Sequence, residues 1–212
     1  MNHLPSGAVH VHINDPPTMT EAPALTSPRR PPDAPGERGA ARRIAEMIRV
    51  DHAGEYGAVQ IYKGQLAVFS RLPGKAHAAA LIAGMEAGEK HHLETFDRLI
   101  LERGVRPTAL APVWRGAGFM LGAVTALMGE KAAHACTAAV EEAIEEHYHE
   151  QSQALNGVDP ELKGVVDAFR EDELQHRDTA IIEGAKSAPG YGVLSGAIKL
   201  GCKLAIKISE KI

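Results

Sequence analysis

From about residue 41 onward, apolar residues recur every three or four positions, and proline interrupts the pattern at 73, 107, 112, 160 and 189. Proline lacks the N–H that a helix interior needs and clashes with the preceding turn, so each marks a helix boundary. The spacing predicts helices over 41–71, 75–104, 113–128, 130–156, 160–187 and 191–211. The third and fourth are either two helices or one helix bent near Gly129. No Val/Ile/Thr-rich run alternates with polar residues, and no Asn-Gly or Asp-Gly turn occurs, so strands are not expected. The first 40 residues hold eight of the 13 prolines and show no apolar periodicity. They predict a disordered tail ahead of a domain over 41–212.

Two helices break their own pattern. The stripe of the first runs Ile44, Ile48, Glu55, Tyr62, Phe69, and that of the second Leu81, Met85, Glu89, His92, Phe96, Leu99. A carboxylate on an apolar face is costly unless something partners it. Glu89 and His92 form an E-x-x-H, and Glu173 and His176 form another. At i, i+3 on a helix both side chains point the same way, about 5–6 Å apart at Cβ, and can grip one metal ion. One such pair alone is weak, and Glu146 with His149 makes a third.

The register separates them. Glu55 precedes Glu89 by 34 residues and Glu141 precedes Glu173 by 32, while the two halves are offset by 86 and 84. The chain therefore reads Glu, E-x-x-H, Glu, E-x-x-H, a repeated helical hairpin. Glu146 lies about 140° around the helix from Glu141 and has no glutamate at the right distance before it, so that pair is read as a solvated face. The pattern is that of ferritin-like di-iron and di-manganese carboxylate bundles. It predicts an all-α, ferritin-like four-helix bundle with two additional helices, one or both membrane-facing. Four buried carboxylates would repel and protonate, whereas two divalent cations neutralise them. Oxygen-rich ligands with two imidazoles and no thiolate suit iron or manganese better than structural zinc. Glu89 and Glu173 are the natural bridges, with Glu55 and Glu141 terminal.

Other residues near the stripe are candidates for supporting roles. Tyr148, seven residues after Glu141, either hydrogen-bonds a ligand, passes a proton or electron, or packs. His147 is placed to contact substrate. Asp51 and Asp172 are expected either to orient the metal imidazoles or to be surface acids.

Composition narrows the class without choosing the function. The chain has 212 residues, 44% hydrophobic and 24% charged, enough for one domain with a core. Aromatics are only 4%, so that core must be aliphatic and alanine-rich. A net charge of −4 gives no electrostatic match for nucleic acid. Cys136 and Cys202 have no metal-type spacing and are expected to pack. No Lys or Arg precedes Arg29, so neither a secretory nor a mitochondrial leader is expected.

Two segments bear on lipid. Gly116 to Gly129 is an uncharged run of 14 residues that follows Trp114 and Arg115. It is too short to span a bilayer, which needs about 20 residues, and is either an interfacial or a core helix. Gly118 and Gly122 within it make a G-x-x-x-G, a sign of close helix contact. Lys199, Lys203, Lys207 and Lys211 recur every four residues, opposite Leu194, Ile198, Ala205 and Ile208. This is either a basic amphipathic helix for an anionic membrane face or the solvated edge of a packed helix.

Several blocks together resemble one family. Arg-Val-Asp-His-Ala-Gly-Glu-Tyr-Gly-Ala at 49–58 resembles the signature of the demethoxyubiquinone hydroxylases of ubiquinone biosynthesis. So do Arg-Pro-Thr at 106–108, Ala-Cys-Thr-Ala-Ala-Val-Glu-Glu at 135–142, His-Tyr-His-Glu-Gln at 147–151 and Gly-Cys-Lys-Leu-Ala-Ile-Lys-Ile-Ser-Glu at 201–210. The likeness covers about 42–212 and includes all six ligand positions. It implies a flavin-free di-iron monooxygenase that hydroxylates the ring of a polyprenyl demethoxyubiquinol in the penultimate step of the pathway. It further implies two iron ions, dioxygen as co-substrate, NADH or another reductant, a quinol substrate, a membrane surface and contact with other ubiquinone-biosynthesis proteins. The expected location is peripheral, on the cytoplasmic face of a bacterial inner membrane or, alternatively, on the matrix side of the mitochondrial one. Gly116-Ala117-Gly118 is followed by Leu121 where a dinucleotide fingerprint needs glycine, so nicotinamide binds in some other way or an external reductase serves. An iron-storage bundle with the same ligands is the alternative, but it has no use for the lysine stripe or the uncharged segment. A scaffold with a vestigial site conflicts with the complete ligand set.

Overall fold

The computed structural model describes residues 37–212, so the expected disordered tail lies, up to residue 36, outside the described residues. Six helices follow one another: α1 Glu37–Phe69, α2 Ala76–Arg103, α3 Ala111–Leu127, α4 Glu130–Leu155, α5 Pro160–Ile182 and α6 Tyr191–Ser209. A single 3-10 turn, Ala185–Ser187, precedes α6. There is no strand among the described residues. The boundaries have local causes. Gly104 adopts φ 63° after α2, where only glycine is free of Cβ strain. Gly129, at φ 116°, separates α3 from α4, so these are two helices rather than one bent helix. Asp159 accepts from the Leu162 N–H and Pro160 starts α5, an N-cap followed by proline at the first helical position.

Helices α1, α2, α4 and α5 form the bundle; α1 pairs with α2 and α4 with α5. The repeat extends beyond the hairpin, because α3 lies mainly on α1 and α6 mainly on α4. The core is aliphatic and alanine-rich, with Phe96, Phe169, Leu99 and Leu162 at one end and Phe69, Ile82 and Met85 towards the other. The contact of α3 with α1 is unusually close. A Cβ at Gly122 would strike the Ile61 carbonyl, one at Gly64 the Phe119 carbonyl, and one at Gly118 would lie 2.9 Å from the Gly57 oxygen.

Three of the four regularly spaced lysines on and just beyond α6 are paired within the chain: Lys199 with Glu142 (3.0 Å), Lys203 with Glu146 (2.8 Å) and Lys211 with Glu46 (3.5 Å). Lys203 and Lys207 remain exposed, and beside them Val193, Leu200, Leu204 and Ile208 of α6 also face solvent. Helix α3 adds Val113, Met120, Val124 and Leu127. The paired lysines tie this segment to α4 and α1, and an aliphatic face is exposed alongside them. Among the described residues no helix is long and apolar enough to cross a membrane.

Candidate metal centre

Each helix of the bundle brings its polar residues inward by the same register that builds the core. Glu55 on α1, Glu89 and His92 on α2, Glu141 on α4 and Glu173 on α5 are all at most 1% exposed, and His176 is partly buried. Their donor atoms fall into two overlapping groups, each within 4.8 Å. One contains Glu55, Glu89, His92 and Glu173, and the other Glu89, Glu141, Glu173 and His176. Glu89 and Glu173 belong to both. The outward pair, Glu146 and His149, stays apart: Glu146 pairs with Lys203 and His149 contacts Gln153.

The donor atoms do not satisfy one another. Glu89 and Glu173 have both carboxylate oxygens buried without a hydrogen bond, and Glu55 and Glu141 have one each. Nδ1 of His92 and Nδ1 of His176 share that condition. These nitrogens lie among the carboxylates, His92 Nδ1 at 3.3 Å from Glu173 and His176 Nδ1 at 2.9 Å from Glu89. Eight buried donor and acceptor atoms that make no hydrogen bond around one point are expensive in an apolar interior. Cations among them remove that cost, so the residues fit a pair of divalent ions.

Electrostatics express the same crowding. Burial pushes the Glu55 carboxyl up to about 8, against the hydrogen bond and charge of His92. Burial also raises Glu173 and Glu141, reinforced for both by the Glu89 charge. Glu89 is lowered, because the imidazoles of His176 and His92 outweigh its burial. One carboxylate takes the charge that the two histidines can balance, and the others resist ionising.

Two tyrosines close the site. Tyr148 on α4 donates to Glu55 on α1, and Tyr62 on α1 donates to Glu141 on α4. Each stands seven residues after the inward glutamate of its own helix, Glu141 or Glu55, and serves the inward glutamate of the other. Tyr62 is absent from the candidate list above except as a core residue, although the repeated Glu-x6-Tyr carries the signal. Asp172 contacts His92 Nε2 at 3.2 Å. Asp51 does not reach an imidazole ligand: its side chain accepts from Gln151 (2.8 Å) and His147 (3.2 Å). One turn before Glu55 it faces α4. His147 is therefore held by a buried carboxylate, which raises its pKa against the effect of burial.

Behind the site lies an apolar cavity of about 540 Å³ between α1, α3, α4 and α6. Gly54 and Ala58, which flank Glu55 in the chain, line it, as does Val140 next to Glu141. Trp114, Ile198 and Cys202 line it from the outer helices. Cys136 is wholly buried and packs in the same cluster as Cys202.

A family model described as ubiquinone biosynthesis protein COQ7 matches residues 42–209. The 3-demethoxyubiquinol 3-hydroxylase of Rhodospirillum rubrum is 51% identical over 178 residues, covering 84% of this chain and 82% of that protein. The human NADPH-dependent 3-demethoxyubiquinone 3-hydroxylase, mitochondrial, is 46% identical over 173 residues, 80% of this chain and 78% of that protein. The 5-demethoxyubiquinone hydroxylase, mitochondrial, of Saccharomyces cerevisiae is 39% identical over 185 residues, with 80% and 78% covered.

Proposed function

The chain belongs to the COQ7 family of ubiquinone biosynthesis proteins, and from that premise we propose how its own residues perform the reaction. It is a demethoxyubiquinol hydroxylase. Residues 41–212 form the catalytic unit. Glu55, Glu89, His92, Glu141, Glu173 and His176 hold two iron ions, with Glu89 and Glu173 shared. The observation that carries this reading is the set of eight buried donor and acceptor atoms on these six side chains that make no hydrogen bond. When bound, iron supplies the electrons that activate dioxygen, one atom of which enters a ring C–H bond.

The protein contributes binding, position and dryness. The cavity takes the first isoprene units of a polyprenyl quinol, because its walls are aliphatic and offer almost no polar competition. Its walls run past the backbone of Glu55 and Glu141, which directs the ring to the α1–α4 side of the centre. The same walls keep water from the reacting carbon. Tyr148 and Tyr62 fix the two terminal carboxylates by donating their phenolic protons. Burial and the neighbouring carboxylates raise both phenols well above their usual value, so these protons stay on oxygen. His147, held by Asp51, is placed to carry a proton on its imidazole near the surface.

The exposed aliphatic faces of α3 and α6 support a peripheral seat on a membrane, where the rest of the prenyl tail remains in lipid. The location is the cytoplasmic face of a bacterial inner membrane or the equivalent matrix face in mitochondria. NADH or another reductant supplies electrons, and other ubiquinone-biosynthesis proteins are candidate partners there.

The test is turnover of demethoxyubiquinol by iron-loaded protein under ¹⁸O₂. The expected product carries one labelled hydroxyl, and elemental analysis gives two irons per chain. Unlabelled product, or a single tightly held zinc, refutes the reading.

A further inference from the structure

The two metal groups are built from matching positions of the repeat, so a difference between matching positions isolates what makes them unequal. An offset of 84 carries His92 onto His176, Glu89 onto Glu173, Gly88 onto Asp172 and Met85 onto Phe169. Both histidines turn Nδ1 to the centre. Their outer edges meet different surroundings.

His92 is clamped. Its Nε2 lies 3.2 Å from the Asp172 carboxylate across the α2–α5 interface. Phe169 stacks on its ring, centroids 3.9 Å apart and planes 25° from parallel. Its side chain is 1% exposed. His176 crosses the same interface in the opposite direction and meets Gly88, where the first half has no side chain at all. A Cβ there would lie 3.2 Å from Cε1 and 3.3 Å from Nε2 of the imidazole. No carboxylate can stand at that position as Asp172 does at its counterpart. Tyr62 meets this ring only edge-on, with centroids 6.5 Å apart, and the side chain is 16% exposed.

We propose that the two metal positions are inequivalent: the ion completed by His92 is held tightly, the ion completed by His176 exchanges first, and Asp172 sets the difference. The inference rests on the metal-binding reading of the site. A carboxylate on the far nitrogen of a ligating imidazole fixes its tautomer and ring angle and makes the ligating nitrogen more basic. Removing such a partner typically costs about 10–100-fold in metal affinity. Here one half of the repeat has that partner and the other has glycine. The His176 side also has the shorter route to water, so loading and loss pass through it. Asp172 is a positioning residue that acts through His92.

The experiment uses the full chain, stripped by chelation and refilled with Co²⁺, whose absorption reports each bound ion. Chasing with excess EDTA should release two ions in two phases separated by about 10–100-fold in rate, in line with the affinity cost of such a partner. His176→Gln should abolish the fast phase and keep the slow one. Asp172→Ala should accelerate the slow phase towards the fast one without changing the fast one. Asp172→Asn keeps an acceptor without the charge and should fall between, a grading that a mere folding defect would not produce. Gly88→Ala, which crowds His176, should change the fast phase alone. Two ions leaving in one phase, or a slow phase indifferent to both Asp172 variants, overturns the inequivalence while leaving the metal site standing. Failure to bind any Co²⁺ overturns both.

Discussion

The bundle core and the outer layer of α3 and α6 have opposite polarity errors. In the core, eight polar atoms of six side chains are buried without hydrogen bonds. In the layer, large aliphatic side chains stand in solvent, Leu127 at 73% and Val193 at 81% exposure. A folded chain tolerates neither arrangement without a reason, since buried polar groups need partners and sizeable apolar patches mark contact sites. In the proposed reading each region has its partner outside the polypeptide, cations for the core and an apolar phase for the layer. The cavity lies between the two and belongs to both. An amphipathic helix reads the same in all six cases, and only the kind of mismatch tells which face needs which partner.

The largest effect that sets the two regions apart comes from the bridging carboxylates. Glu89→Ala or Glu173→Ala should abolish iron binding and hydroxylation, as read by elemental analysis and product formation, while leaving liposome association unchanged. If either variant keeps two irons, the core has been misread.

The next effect tests the electrostatic cost of the core without metal. Glu55 keeps its proton in the folded apoprotein up to about pH 8, whereas an unfolded glutamate loses it near 4.5. Between those values the native state binds more protons than the unfolded one, so stability falls as pH rises. Apoprotein should therefore melt at a lower temperature at pH 8 than at pH 5. Metal should restore more stability at the higher pH, where fewer protons compete for the ligands and the carboxylates otherwise repel. A melting temperature of apoprotein that rises across this range would contradict the burial of these carboxylates.

Gly122→Ala attacks the seam between the regions. The new methyl would meet the Ile61 backbone, which cannot rotate away. Overpacking of this sort costs about 1–3 kcal/mol. Chemical denaturation should show that loss, and the same change at exposed Gly116, where a Cβ meets nothing, should not.

The smallest effects concern the layer itself. Leu200→Ser with Leu204→Ser should weaken association with liposomes at constant iron content. Glu146→Ala, which removes only the exposed partner of Lys203, should leave most turnover intact. If exchanging the lysines for glutamine reduces liposome binding more than the leucine changes do, charge rather than the aliphatic face makes the contact.

The buried Glu/His cluster is legible in the sequence because chemistry and period coincide there. Glu55, Glu89, Glu141 and Glu173 interrupt apolar stripes at matching intervals, and the helix register alone then turns them inward. The tyrosines were half legible: Tyr148 stood out beside Glu141, but Tyr62 reads as an ordinary core residue until its hydroxyl is seen on Glu141. Asp51 and the lysines show a different limit. Sequence gives the face of a helix on which a residue lies, not the neighbour across from it. Asp51 shares a face with Glu55 closely enough to suggest the metal, yet its partners are on α4. The lysine stripe is real, and Glu142, Glu146 and Glu46 pair with three of its four members.

The crossed tyrosines make the halves interdependent. Each segment of three helices supplies a donor for which it has no acceptor and an acceptor for which it has no donor. Two copies facing each other across a two-fold axis would satisfy both, the self-complementary geometry of an isologous dimer. The present chain has the connectivity of such a pair joined head to tail at Gly129. The halves are not identical, since Asp172 stands at the position that matches Gly88. A chain severed at Gly129 contains two unlike halves that need each other, so the fragments should assemble as a heterodimer in preference to either homodimer.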